Sequence, residues 1–226
     1  MIKYKEYFSR ADINLIKDYT QRINNEKVNC DVGFYNLPFE FDSLKDKLLA
    51  CKEYFKNKNH FVVIGMGGSS VGTKAITSFL GVESVDYLDN VSSIMFEKVC
   101  SRINISNTLF ILVSKSGNTV ESISYFRILM DRFGLSVGDL KECTIGICMQ
   151  NTSLYEFLIE NEIYHFNIEE NVSGRFSVLS AVGIVPLYLA GVDVESLLDG
   201  AKACFNENDM NTHVLNLTPN VTCLNK

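Results

Sequence analysis

Three short segments gather the residue types that hold an anion and steady a developing negative charge. In the first, Gly65, Gly67 and Gly68 surround Met66 and run into Ser69 and Ser70. Glycines let a backbone turn tightly and approach a ligand, and the hydroxyls and free N–H groups of a helix's first turn suit phosphate. The rival reading is an ordinary turn whose Ser69 or Ser70 caps the helix that follows. The order is neither G-x-x-x-x-G-K-[ST] nor G-x-G-x-x-G, so it supports neither a P-loop nor a dinucleotide site.

The second segment, Ser114-Lys115-Ser116-Gly117-Asn118-Thr119, places hydroxyls, an amide and an ammonium within six residues. Ser114, Ser116, Asn118 and Thr119 donate hydrogen bonds without carrying charge. The competing reading is a solvated turn with Thr119 as a helix cap. In the third segment, Val172-Ser173-Gly174-Arg175-Phe176-Ser177 leads into an apolar stretch. The Arg175 guanidinium there could stabilise an oxyanion. A surface ion pair with Glu169 or Glu170 is the alternative.

The elements that must carry these segments follow from the apolar pattern. Strands are expected over 61–64, 84–88, 108–113, 143–148 and 163–168. Helices fall between them, over 71–80, about 92–102, from Val120 to near Phe133, and over 154–159. In the first, Val71, Ala75, Ile76, Phe79 and Leu80 share one face before Gly81; in the third, Val120, Ile123, Phe126 and Leu129 point inward. Residues 178–190 read as a buried helix. This alternation specifies an α/β fold, a doubly wound and mainly parallel sheet flanked by helices.

The first and second segments then both follow the carboxyl ends of strands, where such sheets bind ligands. Two hydroxyl loops at one end favour a shared phosphate site over two coincidental turns. Before the sheet, helical spacing (Ile13, Leu15, Ile16, Tyr19 and Ile23, then Leu44, Leu48, Leu49, Tyr54 and Phe55) predicts two helices separated by a loop around 33–42. We divide the chain into a helical N-terminal arm over 1–58 and an α/β domain over 59–226 that carries the phosphate site.

Composition narrows the partners. The 226 residues are 46% hydrophobic, enough for a large core, and the net charge of −6 argues against a nucleic-acid partner. Seven cysteines with no C-x-x-C pair fit reduced thiols in a cytoplasm. The N-terminus, Met1 to Glu6, has no signal-peptide apolar run, and the stretch over 178–190 is broken by Ser180, Gly183 and Pro186, so no membrane span is expected. Neither a metal nor a cofactor is called for.

These segments together resemble the glucose-6-phosphate isomerase family, built on the sugar isomerase (SIS) domain. The likeness rests on 64–69, on 114–119 with Glu121, and on 172–177, and covers roughly 40–200. The resemblance implies phosphate binding by Gly68, Ser69, Ser114, Lys115, Ser116 and Thr119, a supporting role for Glu121, and enediolate stabilisation by Arg175 beside Gly174. It implies aldose–ketose exchange between glucose 6-phosphate and fructose 6-phosphate, a phosphosugar partner, and a homodimer for the intact protein. Three departures stand out: Gly117-Asn118 in place of a bulky residue and threonine, Ser122 for threonine, and Ser173 for glycine. The resulting Ser-x-Ser-Gly-x-Thr is nearer the general sugar isomerase pattern.

The resemblance also implies that the proton-shuttling glutamate and the ring-opening histidine and lysine belong to a C-terminal half absent here. Neither Glu195 nor His213 matches them. Two further readings stay open, a non-catalytic phosphosugar-binding module and an isomerase of another sugar phosphate.

Overall fold

The computed structural model describes residues 13–30 and 32–204. Met1 to Glu6, His213, Cys223 and the side chains of Ile13, Leu15, Ile16 and Cys204 lie outside the described residues. A five-stranded sheet forms the centre, from β1 (His60–Ile64), β2 (Val85–Leu88), β3 (Thr108–Val113), β4 (Thr144–Cys148) and β5 (Tyr164–Asn167). Every pairing is parallel and the order is β2-β1-β3-β4-β5. This is the doubly wound sheet expected from the alternation of strands and helices.

The strands' period of two divides the core. Phe61, Val63, Leu109, Ile111, Val113, Ile145 and Ile147 face one side, where they meet Leu48 and Cys51 of α2 (Phe41–Tyr54), Phe55 just after it, Ile76 of α3 (Val71–Leu80), and the buried residues of α7 (Ala181–Leu189) and α8 (Val194–Cys204). Val62, Ile64, Phe110 and Leu112 face the other, against α4 (Ser93–Cys100), α5 (Val120–Phe133) and α6 (Ser153–Glu160). Covered on both faces, β3 buries all six side chains. That accounts for its unbroken apolar run. Ahead of the sheet, α1 (Ile13–Val28) and α2 are the two expected helices, joined through short 3-10 turns at Gly33–Tyr35 and Leu37–Phe39. Leu49 and Tyr54 of α2 face outward.

Two expected helix faces are corrected. On α3, Val71, Phe79 and Leu80 are exposed, Phe79 by 89%, while Thr73 and Thr77 are buried. The reason is a close approach to the segment before α7, since a Cβ on Gly72 would come within 2.8 Å of the Val178 side chain. Small and hydroxylated residues therefore face inward, and Thr77 shares a 2.9 Å hydrogen bond with the Tyr87 hydroxyl. On α5, Val120 and Ile123 are exposed, whereas Ser122, Tyr125, Phe126, Leu129 and Met130 are buried. That inward stripe follows helical spacing from Ser122 rather than from Val120. Further along, the buried helix begins at Ala181, because Ser180 caps it by accepting from the Val182 N–H at 3.2 Å.

Strand order reverses between β1 and β3, which lie side by side in register from His60 opposite Thr108 to Ile64 opposite Leu112. Loops leaving their carboxyl ends must flank one crevice.

Candidate functional site

The loop after β1 folds back over that crevice. A Cβ on Gly65 would fall 2.8 Å from the Ser69 Cβ and 3.2 Å from the Val113 carbonyl oxygen, which places Ser69 over the seam between β1 and β3. Ser69 is half-buried, and its hydroxyl makes no hydrogen bond among the described residues. Ser70 differs: it is fully buried and its hydroxyl donates to the Gly67 carbonyl at 3.3 Å. Of the two serines considered for an anion, the one available is Ser69.

After β3, Ser114 is fully buried and organises the second loop. Its hydroxyl donates to the Thr119 hydroxyl at 2.9 Å and accepts from the Thr119 N–H at 3.3 Å. Its carbonyl accepts from the Gly117 N–H at 3.0 Å. Thr119 holds the N-cap position of α5 without a side-chain cap bond. The N–H groups of Lys115 and Ser116 stay unengaged among the described residues, and Ser116 is exposed. Ser153 donates to the Asn118 side-chain oxygen. Glu121 stands exposed in the first turn of α5.

The third segment forms a 3-10 turn, Gly174–Phe176, beyond β5. It meets the first loop backbone to backbone: a Cβ on Gly68 would lie 2.1 Å from the Gly174 carbonyl oxygen and 2.8 Å from the Arg175 nitrogen. Only glycine fits so close a contact. Ser177 strengthens the junction, its hydroxyl donating to the Gly174 carbonyl at 2.7 Å and approaching the Gly68 carbonyl at 3.4 Å. The Lys115 ammonium joins the second loop to the third by donating to the Glu170 and Val172 carbonyls at 2.7 and 2.8 Å. Arg175 is exposed and pairs with neither Glu169 nor Glu170 among the described residues. Its guanidinium is left for another anion.

The three segments singled out by residue type thus touch one another, through Gly68, Gly174, Arg175 and Lys115. The contacts that join them do not include Glu121. Chemically, the arrangement offers hydroxyl and N–H donors for a phosphate and one free guanidinium for a second negative centre. No cluster of metal-ligating side chains occurs among the described residues.

Local sequence gave no sign of several supporting residues. Asn171 donates its side-chain amide to the Cys30 carbonyl at 2.9 Å, its main-chain carbonyl accepts from the Gly33 N–H at 3.0 Å, and the Phe34 and Phe176 rings lie 4.9 Å apart. Residues ahead of α2 therefore brace the arginine segment. Asp89, at the carboxyl end of β2, pairs with Lys74 at 2.6 Å while its other oxygen is buried without a partner among the described residues.

The sequence profile of the phosphoglucose isomerase family matches residues 47–223. The chain belongs to the phosphoglucose isomerase family. The glucose-6-phosphate isomerase of Campylobacter jejuni is 39% identical over 215 residues, covering 92% of this chain and 52% of that protein. A probable glucose-6-phosphate isomerase of Methanococcus maripaludis is 34% identical over 189 residues, 80% of this chain and 42% of that protein. The crystal structure of a hypothetical protein from Thermus thermophilus superposes with a TM-score of 0.76 at 25% identity, covering 89% of this chain and 51% of that one. This phosphoglucose isomerase family chain spans about half the length of the curated relatives it matches. All three segments of the site lie inside the matched residues.

Proposed function

We propose that this chain supplies the phosphate-holding and oxyanion-stabilising part of an aldose–ketose isomerase acting on glucose 6-phosphate and fructose 6-phosphate. Ser69, Ser116 and Thr119, with Gly68 and the Lys115 main chain, hold the phosphate, and the buried Ser114 serves that site by fixing Thr119. Arg175, carried on Gly174, faces the carbons between which the proton moves and stabilises the enediolate. Glu121 lines the site in support. One observation carries this reading: the Gly68 backbone abuts the main chain of Gly174 and Arg175, so the residue with an unpaired guanidinium is anchored on the glycine-rich loop. The relatives named as glucose-6-phosphate isomerases support the substrate.

No general base is assigned within these segments, and proton transfer also needs one. That favours a second reading, in which these residues alone bind a phosphosugar without turning it over. Calorimetric titration of the 226 residues with fructose 6-phosphate, glucosamine 6-phosphate, 6-phosphogluconate and inorganic phosphate separates the cases. Preference for the hexose phosphates over glucosamine 6-phosphate, with Arg175→Ala weakening an enediolate mimic more than phosphate, is the expected result. Equal loss for both ligands would remove Arg175 from its role. Turnover by the purified 226 residues would overturn the assignment of the base outside them.

The division into an arm over 1–58 and a phosphosugar-binding domain over 59–226 belongs to the same proposal, with α2 sharing the core of the sheet. No helix among the described residues is long and apolar enough to cross a membrane; a cytoplasmic location is part of the same proposal, supported by the free thiols among the described residues. We read the intact protein as a homodimer, and the exposed Val71, Phe79 and Leu80 on α3 support association. Light scattering on the intact protein tests that.

A further inference from the structure

The Lys115 ammonium is not spent as a phosphate-binding group of its loop would be. Two of its three N–H donors go to main-chain carbonyls 55 and 57 positions away, those of Glu170 and Val172. The two acceptors flank Asn171, which is itself bonded to the Gly33 N–H and the Cys30 carbonyl. A segment held by four such bonds has little freedom to shift, and the turn carrying Arg175 starts two residues beyond it. Gly174, the first residue of that turn, is the one packed on Gly68. The anion-binding donors of the second loop are the Ser116 and Thr119 hydroxyls and the unengaged N–H groups of Lys115 and Ser116, none of which needs the ammonium.

We propose that the Lys115 side chain is a positioning group, which clamps the main chain at 170–172 and so aims Arg175 at the phosphate-holding loops. This rests on the phosphosugar reading of the site and deepens it. Lysine suits the task because its ammonium carries several rotatable donors at the end of a long stem, and charge-assisted bonds to carbonyls are strong. A single residue then links the loop that receives the phosphate to the loop that carries the guanidinium. Where Arg175 points depends on the second loop being in place.

Lys115→Met removes the donors and keeps the main-chain N–H. In the 226-residue chain, affinity for inorganic phosphate is expected to change by less than about threefold, while affinity for a phosphosugar hydroxamate, an enediolate mimic, falls about tenfold or more. Adding Arg175→Ala to Lys115→Met should cost little further, as expected when one residue acts through the other. Lys115→Arg, with its two-pronged fork, should restore most of the loss. Amide hydrogen exchange at 174–176 should quicken in Lys115→Met.

Equal losses for phosphate and mimic would make Lys115 a direct phosphate ligand and overturn the proposal, as would unchanged mimic binding. Should the unsubstituted chain fail to prefer the mimic over phosphate, the functional reading falls. The clamp is then judged by exchange alone, and unchanged exchange sinks it. If Lys115→Met does not fold, nitrogen NMR of the unsubstituted chain decides: a clamped ammonium exchanges its protons slowly, and an ammonium as fast as surface lysines refutes the clamp.

Discussion

Replacing Gly68 by alanine tests whether the meeting of the first and third segments builds the site. The added methyl would stand 2.1 Å from the Gly174 carbonyl oxygen, 2.4 Å from its carbon and 2.8 Å from the Arg175 nitrogen. Every one of these is main chain, so no rotamer relieves the clash and the two turns must part by roughly 1 Å. Overpacking of this kind costs about 1–3 kcal/mol. With a urea slope of about 2 kcal/mol per molar, the unfolding midpoint falls by about 0.5–1.5 M. A displacement of about 1 Å between anchor and guanidinium weakens binding of an enediolate mimic by as much as about 10²-fold.

Gly174 is the natural control, because a Cβ there meets nothing within 4 Å and its φ is not positive. Gly174→Ala should leave stability within about 0.5 kcal/mol of the starting protein, or raise it slightly. Tyrosine fluorescence in urea and calorimetric titration with the mimic give both readouts. A Gly68→Ala chain that keeps its midpoint and its affinity would refute the contact as the organiser of the site.

Other outcomes follow from burial and charge. Burial first, and then the Lys47 charge, hold His165 below its ordinary value of 6.5, against a smaller opposite effect of the Ile163 carbonyl. The unfolded chain therefore takes up the proton first, and this contribution to stability is lost as pH falls below 6.5. Urea midpoints of His165→Gln should be flatter with pH on that side than those of the unsubstituted protein, and identical slopes would count against it. Burial pushes the Cys51 thiol up to about 12. Mass-mapped alkylation of the native protein should therefore label exposed Cys30 well before buried Cys51, Cys100, Cys143 and Cys148. Phe79→Ser should change stability by less than about 0.5 kcal/mol despite the loss of an aromatic ring, since Phe79 faces water. A loss of several kcal/mol by urea unfolding that does not vary with protein concentration would return that side chain to the core.

The strands were plain in the sequence because a strand covered on both faces must be apolar throughout; the run 108–113 coincides with Thr108–Val113. The placement of Ser69, Ser114 and Thr119 in loops at the carboxyl ends of β1 and β3 was legible for a related reason, since the strands that end there are plain in the apolar pattern. The inner face of α3 was hidden. Apolar periodicity selects Val71 and Phe79, whereas the true face is set by the close approach of Gly72 to Val178 and by a buried hydroxyl pair, Thr77 with Tyr87. Nor could the partners of Lys115 be found from residue types, because both are main-chain carbonyls. Backbone acceptors leave no compositional trace.

The junctions at the site span long loops of chain: 57 positions separate Lys115 from Val172, and 109 separate Gly68 from Ser177. Closing such loops is entropically expensive, and sheets built from distant parallel partners assemble slowly. The crevice is therefore expected to close late in folding, since it needs the segment after β5 to dock on loops that β1 and β3 have already placed. An anion that fits the finished crevice selects the finished fold. Inorganic phosphate added during refolding should raise the yield of native protein in proportion to its occupancy, so that the ligand's arrival reports the closing step of assembly.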